Sequence, residues 1–365
     1  MNMNKTSQTF ALPAYDRTKL TAGIVHIGLG NFHRAHMAVY LDDLFAKGLA
    51  HDWAIIGAGV RAGDAAMREA LLAQDSLSTV IELDPKGKSA RRIGAMIDFL
   101  PVQDDNTTLI AAMARPEIRI VSLTVTEGGY FIDPATGKFD PTAPEIVADA
   151  ANPHRTAFGA IAAALKIRRA AGTAPFTVMS CDNLPGNGYV AKAAVVELVR
   201  LSDPEFADWI AANVAFPNGM VDRITPATGP RERALAETFG IFDPVPVTCE
   251  PFRQWVLEDH FPAGRPPLEE VGVTFTDHVH AFEAMKIRIL NGGHATIAYP
   301  GGLLDIEYVH EAMAHPLILG FLNKLETTEI IPTVAPVPNT DLVEYYAKIV
   351  ERFSNPEVAD TERRL

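Results

Sequence analysis

Gly23-Ile24-Val25-His26-Ile27-Gly28-Leu29-Gly30-Asn31-Phe32-His33-Arg34-Ala35-His36 decides how the chain folds. Gly23–Ile27 is short, apolar and β-branched, as a buried strand is, and a helix-compatible stretch runs from Phe32 to Phe45. Between them lies Gly28-Leu29-Gly30, where a dinucleotide fold needs small residues. The first glycine makes the tight turn, and the second lets backbone approach a pyrophosphate at the helix N-terminus. The third glycine of that fingerprint falls on His33, so the pattern is G-x-G-x-x-H. The loop alone reads either as a nucleotide site or as a plain strand-to-helix turn. Asn31 and Phe32 follow directly and are expected to bind the cofactor. Arg34 is placed to meet a phosphate or a carboxylate, or to be solvated. His33 and His36 are spaced like metal ligands, but no Cys or carboxylate stands near them in sequence, so no metal is expected.

Working outward, Trp53–Gly57 reads as a second strand and Asp64–Gln74 as a helix. An acidic residue after the second strand commonly holds the adenosine ribose; Asp64 is the candidate, and its competing role is to cap the helix that follows. Arg61 would tolerate a 2′-phosphate, so NAD is expected with NADP as the alternative. Hairpins are expected around the turns Asp84–Lys88 and Asp133–Lys138. Strands at Ile118–Thr126 and Phe176–Cys181 alternate with helices at Thr156–Ala171 and Gly188–Leu201, which argues for a parallel sheet covered by helices. After a last strand at Val271–Phe275 the pattern turns helical: Ala281–Tyr299, Leu304–Ala314, Pro316–Ile331 and Leu342–Phe353. The expected fold class is therefore α/β: a Rossmann-like dinucleotide-binding domain over 1–275, then a mainly α-helical domain over 276–365.

Composition excludes several classes. A net charge of −13 works against non-specific nucleic-acid binding. Two cysteines, Cys181 and Cys249, make neither a disulfide framework nor a zinc cluster. No apolar run is long enough to span a bilayer, and Met1–Leu20 lacks an apolar signal core, so a cytoplasmic protein is expected.

The chemistry is carried by Glu283-Ala284-Met285-Lys286-Ile287-Arg288-Ile289-Leu290-Asn291-Gly292-Gly293-His294. At about 100° per helical residue, Glu283 and His294 lie roughly 60° and 80° around from Lys286, while Asn291 lies about 140° away. Glu283, Lys286 and His294 can share a broad face; Asn291 needs a pocket that wraps the helix. Apolar residues surround them, so the helix is expected to be buried, and buried ionisable groups are costly unless paired or functional. The alternative is an amphipathic helix with a solvated lysine.

Several segments together resemble the mannitol 2-dehydrogenase family of polyol-specific long-chain dehydrogenases. They are Ile24–His36, Thr124-Val125-Thr126-Glu127-Gly128-Gly129-Tyr130, Ser180-Cys181-Asp182-Asn183-Leu184, Phe216–Pro226, Glu250–Asp259 and the Lys-x₄-Asn-x₂-His segment. The resemblance implies that Lys286 is the general acid/base, that Asn291 and Asn183 hold the reacting oxygen (with Asn187 a nearby competitor for Asn183), and that His294 orients substrate. It also implies that Asp222, Glu127 and Glu283 are carboxylates near the site, in proton transfer or positioning. A metal-independent hydride transfer between a polyol and NAD follows, in a monomer or small oligomer. Reduction of a keto-sugar acid, or dinucleotide binding without turnover, are the alternatives. Family members generally continue further, so the helical domain is expected to be incomplete relative to them.

Overall fold

The structure, a computed structural model, describes residues 10–151 and 154–364. Its central sheet has five parallel strands in the order Met96–Phe99, Ala54–Ala58, Ala22–Ile27, Ile120–Leu123 and Thr177–Ser180. Ala22–Ile27 is buried at every position, because helices cover both faces of such a sheet and its central strands read as continuous apolar runs. Val25 and Ile27 enter one core with Phe158 and Leu165, while Ile24 enters the other with Leu41 and Phe45. In chain order the strands run 3-2-1-4-5, so the order reverses between Ala22–Ile27 and Ile120–Leu123. Ligands of open α/β sheets bind beyond the strand ends at that reversal, here at Gly28 and Thr124.

Both hairpins form at the expected turns, Ser78–Glu82 with Ser89–Ile93 and Ile132–Asp133 with Lys138–Phe139. The expected first helix is two. Asn31–Ala35 and Met37–Ala46 are separated at His36, with φ −118° and ψ −91°. The break turns the His36 ring onto Phe32 and sets its Nε2 3.0 Å from the Gln254 carbonyl. Four strands are additional to the sequence reading, one of them Met96–Phe99 at the edge of the central sheet. Val247–Cys249 extends the first hairpin in parallel, and Gly219–Asp222 pairs antiparallel with Gln254–Leu257. The expected strand Val271–Phe275 shrinks to Thr274–Phe275, preceded by the 3₁₀ turn Leu268–Val271.

The helical region packs on that second small sheet. Met220 and Val256 from its strands share a core with Phe282, Met285, Ile289, Leu290, Ile349 and Phe353. Its helices are Val279–Met285, Gly292–Leu303, Val309–Ala314, Pro316–Leu325 and Leu342–Phe353, the last capped by Asp341, which accepts from Val343 N and Glu344 N. The expected helix Ala281–Tyr299 is interrupted by a π-helical turn over Lys286–Asn291. Among the described residues, no helix is long and apolar enough to cross a membrane.

Candidate active site

A groove of 840 Å³ crosses the sheet reversal, lined by Gly28, Gly30, Asp64, Thr124 and Thr126 among others. Gly28 has φ +100°, and a Cβ there would lie 2.1 Å from the Thr124 carbonyl oxygen, so no other residue fits the turn. At Gly30 a Cβ would meet nothing within 4 Å. The backbone there faces open space, as close approach of a pyrophosphate requires. Asp64 lines the groove, and its Oδ2 accepts from Arg61 N at 2.9 Å. Its helix begins at Asp64 itself, with Gly63 in the cap position, so the capping role is not the one this side chain takes.

Three residues of the loop-and-helix segment behave differently from expectation. Arg34 is neither solvated nor in the groove: it is 1% exposed, and its guanidinium donates to the Val245 carbonyl and, at 2.8 Å, to Asn31 Oδ1. Asn31 spends the rest of its amide on Pro226 O at 3.0 Å and Thr228 Oγ1 at 2.9 Å. These two side chains fix the 226–245 segment against the loop and leave only backbone for a cofactor. His33, at the third fingerprint position, stacks on His26 with ring centroids 3.4 Å apart. Helix and strand meet there through two flat rings instead of a glycine. Burial holds both rings neutral, pushing His26 down to about 3 and His33 well below its ordinary value. No group of three or more metal-type side chains occurs among the described residues.

The groove runs into a second cavity of 630 Å³; the two share Gly30, Thr124 and Thr126. Lys286, Asn291, His294, Asn183, Asp222, Glu127 and Phe32 all line this second cavity. The π turn explains how Asn291 joins Lys286. In an i→i+5 turn the residue five positions on comes round toward its start, so the separation expected for an α-helix is reduced. Lys286 is 7% exposed, and its Nζ donates to Asn183 Oδ1 and Val221 O, both at 2.6 Å. Burial lowers its pKa, opposed by the Asp222 charge and reinforced by Arg352. Asn183, not Asn187, is the amide at the lysine. Asn187 is buried elsewhere, donating to Ser180 O, Asp182 O and Gly219 O. The His294 ring stacks on Phe353 at 4.2 Å.

Two of the carboxylates are committed to the fold. Glu283 does not line the cavity; its Oε1 accepts from Gly186 N at 3.0 Å, which anchors the loop after Asn183. Asp222 lines it, but both its oxygens are held by Arg352 at 2.9 Å, and Arg352 also binds Glu250 through contacts of 2.7 and 2.9 Å. The Arg352 charge overcomes burial and keeps the Asp222 carboxyl below its usual range. Arg352 and Glu250 are absent from the sequence reading. Glu250 opens the Glu250–Asp259 segment, while Arg352 is 6% exposed on the inner face of helix Leu342–Phe353; the signal in sequence was an arginine at helical spacing from Tyr345 and Ile349.

A nucleotide groove opening onto a cavity walled by Lys286, Asn183 and Asn291 defines a dinucleotide-dependent dehydrogenase. Family models bear this out: the mannitol dehydrogenase Rossmann domain matches residues 22–270 and the mannitol dehydrogenase C-terminal domain matches 278–365. A mannitol 2-dehydrogenase of Cereibacter sphaeroides is 72% identical over 355 residues, covering 97% of this chain and 74% of that protein. One from Aspergillus fumigatus is 46% identical, over 97% of this chain and 72% of its own length. The solved ternary complex of Pseudomonas fluorescens mannitol 2-dehydrogenase with NAD and D-mannitol superposes with a TM-score of 0.92 at 48% identity, covering 97% of this chain and 73% of that one. A D-sorbitol dehydrogenase in substrate-free form also gives 0.92, at 41% identity, over 98% and 74%. The chain belongs to the mannitol dehydrogenase family.

Proposed function

We propose that this protein oxidises an acyclic polyol of the D-mannitol type at a secondary alcohol, giving the ketose, with NAD as acceptor. The observation that carries the reading is the continuity of groove and cavity at Gly30, Thr124 and Thr126, with Lys286 on the cavity wall. Domains divided near 275 support it, the first for the dinucleotide and the second for Lys286, Asn291 and His294. Gly28 and Gly30 would hold NAD through their backbone, with Asp64 at its ribose, and NAD would supply the hydride acceptor.

Lys286 is the base. A neutral amine has two N–H bonds and one lone pair. Asn183 Oδ1 and Val221 O accept the two N–H bonds, which leaves the lone pair for the substrate hydroxyl. Asn183, whose oxygen is taken by the lysine, has its NH₂ to offer, and Asn291 adds another amide donor. Together they stabilise the developing alkoxide without a metal. His294 and Glu127 then orient the remaining hydroxyls. A neutral polyol suits the charges better than a keto-sugar acid. Among the described residues the Lys and Arg side chains lining the cavity are Lys286 and Arg223, and Arg223 is already spent on Glu82, Ala35 O and Glu250 O. Its place is the cytoplasm, as a monomer or small oligomer.

The test is NAD reduction by purified protein with D-mannitol, sorbitol and arabinitol. Turnover with at least one polyol is expected; no polyol turnover, with NADH oxidation by keto-sugar acids alone in the reverse assay, would overturn the reading. In the same assay, incubation with a chelator should leave the rate unchanged, whereas loss with recovery on added zinc would count against the amide mechanism. Asp64→Ala should narrow the preference for NAD over NADP, because the carboxylate repels a 2′-phosphate. An unaltered NAD-to-NADP ratio of kcat/KM would leave Asp64 with only its contact to Arg61.

A further inference from the structure

Thr126 holds a conformation that β-branched residues avoid. Its φ is +66° and its ψ 162°, a region occupied almost only by glycine. Such a residue persists where its surroundings over-determine it; here its carbonyl accepts from Gly129 N at 2.9 Å and its amide is held by a carboxylate. Asp182 Oδ1 accepts from Thr126 N at 2.9 Å, and Oδ2 accepts from Val125 N at 2.9 Å and from the Tyr130 hydroxyl at 2.6 Å. The Tyr130 hydroxyl also meets Ser180 Oγ at 2.6 Å. Asp182 is 8% exposed, and Tyr130 and Ser180 are fully buried. The strained residue stands where groove and cavity meet, and the next residue after the carboxylate is Asn183, the lysine's partner.

We propose that Asp182 is a positioning residue: its carboxylate clamps Thr126 in the strained conformation and so sets the wall between dinucleotide groove and substrate cavity in register with Asn183 and Lys286. This rests on the reading of Lys286 as the base. A carboxylate is required because it only accepts. Three donors converge on it, and an amide would turn its own N–H bonds against at least one of them.

Asp182→Asn should lower kcat for polyol oxidation about 10²-fold, the scale of a misplaced reacting geometry, while the Kd for NADH stays within about threefold. Adding Thr126→Gly to Asp182→Asn should recover about tenfold of that loss, since glycine takes a positive φ without strain. A carboxylate that merely stabilises the fold would lower the thermal midpoint and give no such recovery. A crystal of Asp182→Asn reads the clamp independently of turnover, and Thr126 should have left positive φ. If Asp182→Asn does not fold, Tyr130→Phe removes one of the three donors and should lower kcat with NADH affinity unchanged. Wild-type kcat in the variant that folds, no recovery in the double variant, or Thr126 still at positive φ without the carboxylate would each overturn the clamp. Absence of polyol turnover in the wild type would instead overturn the proposed reaction, and the conformation of Thr126 would still decide the clamp.

Discussion

Lys286→Ala is expected to cut polyol oxidation by at least about 10²-fold, the lower end for losing a positioned acid/base, while NADH binding stays near wild type. The two observables separate because Lys286 lines the cavity and not the groove. Wild-type oxidation should rise with pH as the amine loses its proton. Because burial lowers the Lys286 pKa, the rise should be centred below the ordinary lysine value of about 10.4. The variant should lose that limb, and small primary amines should restore part of it by filling the vacated space. Removing the lysine should not cost stability as it costs activity. A lysine whose folded pKa is lowered binds its proton more tightly in the unfolded chain, so it opposes folding at neutral pH and ceases to do so as pH rises through the lowered value toward the unfolded one. Lys286→Met, which removes the desolvated cation and keeps the stem, should therefore leave the thermal midpoint at pH 7 unchanged or raised. Near-wild-type turnover in Lys286→Ala would remove the lysine from the chemistry.

The parallel sheet was legible because its evidence is local. Gly23–Ile27 and Phe176–Cys181 carry their burial in their own composition, and the helices from Gly188 onward carry theirs in their period. Met96–Phe99 at the sheet's edge, Val247–Cys249, Gly219–Asp222 and Gln254–Leu257 escaped because strands of three or four residues owe their existence to partners far along the chain. The π turn escaped for a different reason. An i→i+5 register leaves no period in so short a segment, yet it alone brings Asn291 round to Lys286. Motif reading found the lysine and its amides, but it could not separate Asn183 from Asn187, whose roles differ only in which atoms face them. It also assigned Asp222 and Glu283 to the site without their partners, since Gly186 lies 97 residues from Glu283 and Arg352 lies 130 from Asp222.

Those partners define the second large effect. Arg352→Met should destabilise the protein by roughly 3–5 kcal/mol, the scale for removing one member of a buried ion pair. The guanidinium is 3% exposed, sits over the Phe252 ring at 4.1 Å and is shared between Asp222 and Glu250, which are 4% and 2% exposed; with one cation for two carboxylates, burial already holds the Glu250 pKa above its ordinary value. Without it, two carboxylates remain in one low-dielectric site where burial and mutual repulsion outweigh the Lys286 charge on Asp222 and the Ile224 N–H on Glu250, and both pKa values should stand above their unfolded values. The pH dependence then changes sign. In the wild type, the depressed Asp222 pKa gives a contribution present above the unfolded carboxylate value and lost as pH falls through the folded one. In the variant the folded state takes up protons first, so its stability deficit should shrink as pH falls from 7 toward about 5. The effect should also reach the lysine. Arg352 helps to lower the Lys286 pKa and Asp222 raises it. Removing the cation should move the oxidation limb to higher pH, or, where Asp222 takes up a proton, move it less. Denaturant melts at pH 5 and 7 with a pH–rate profile check both parts. A variant as stable as wild type at pH 7, with an unmoved profile, would mean that the triad neither holds the helical region to the small sheet nor sets the charge around Lys286.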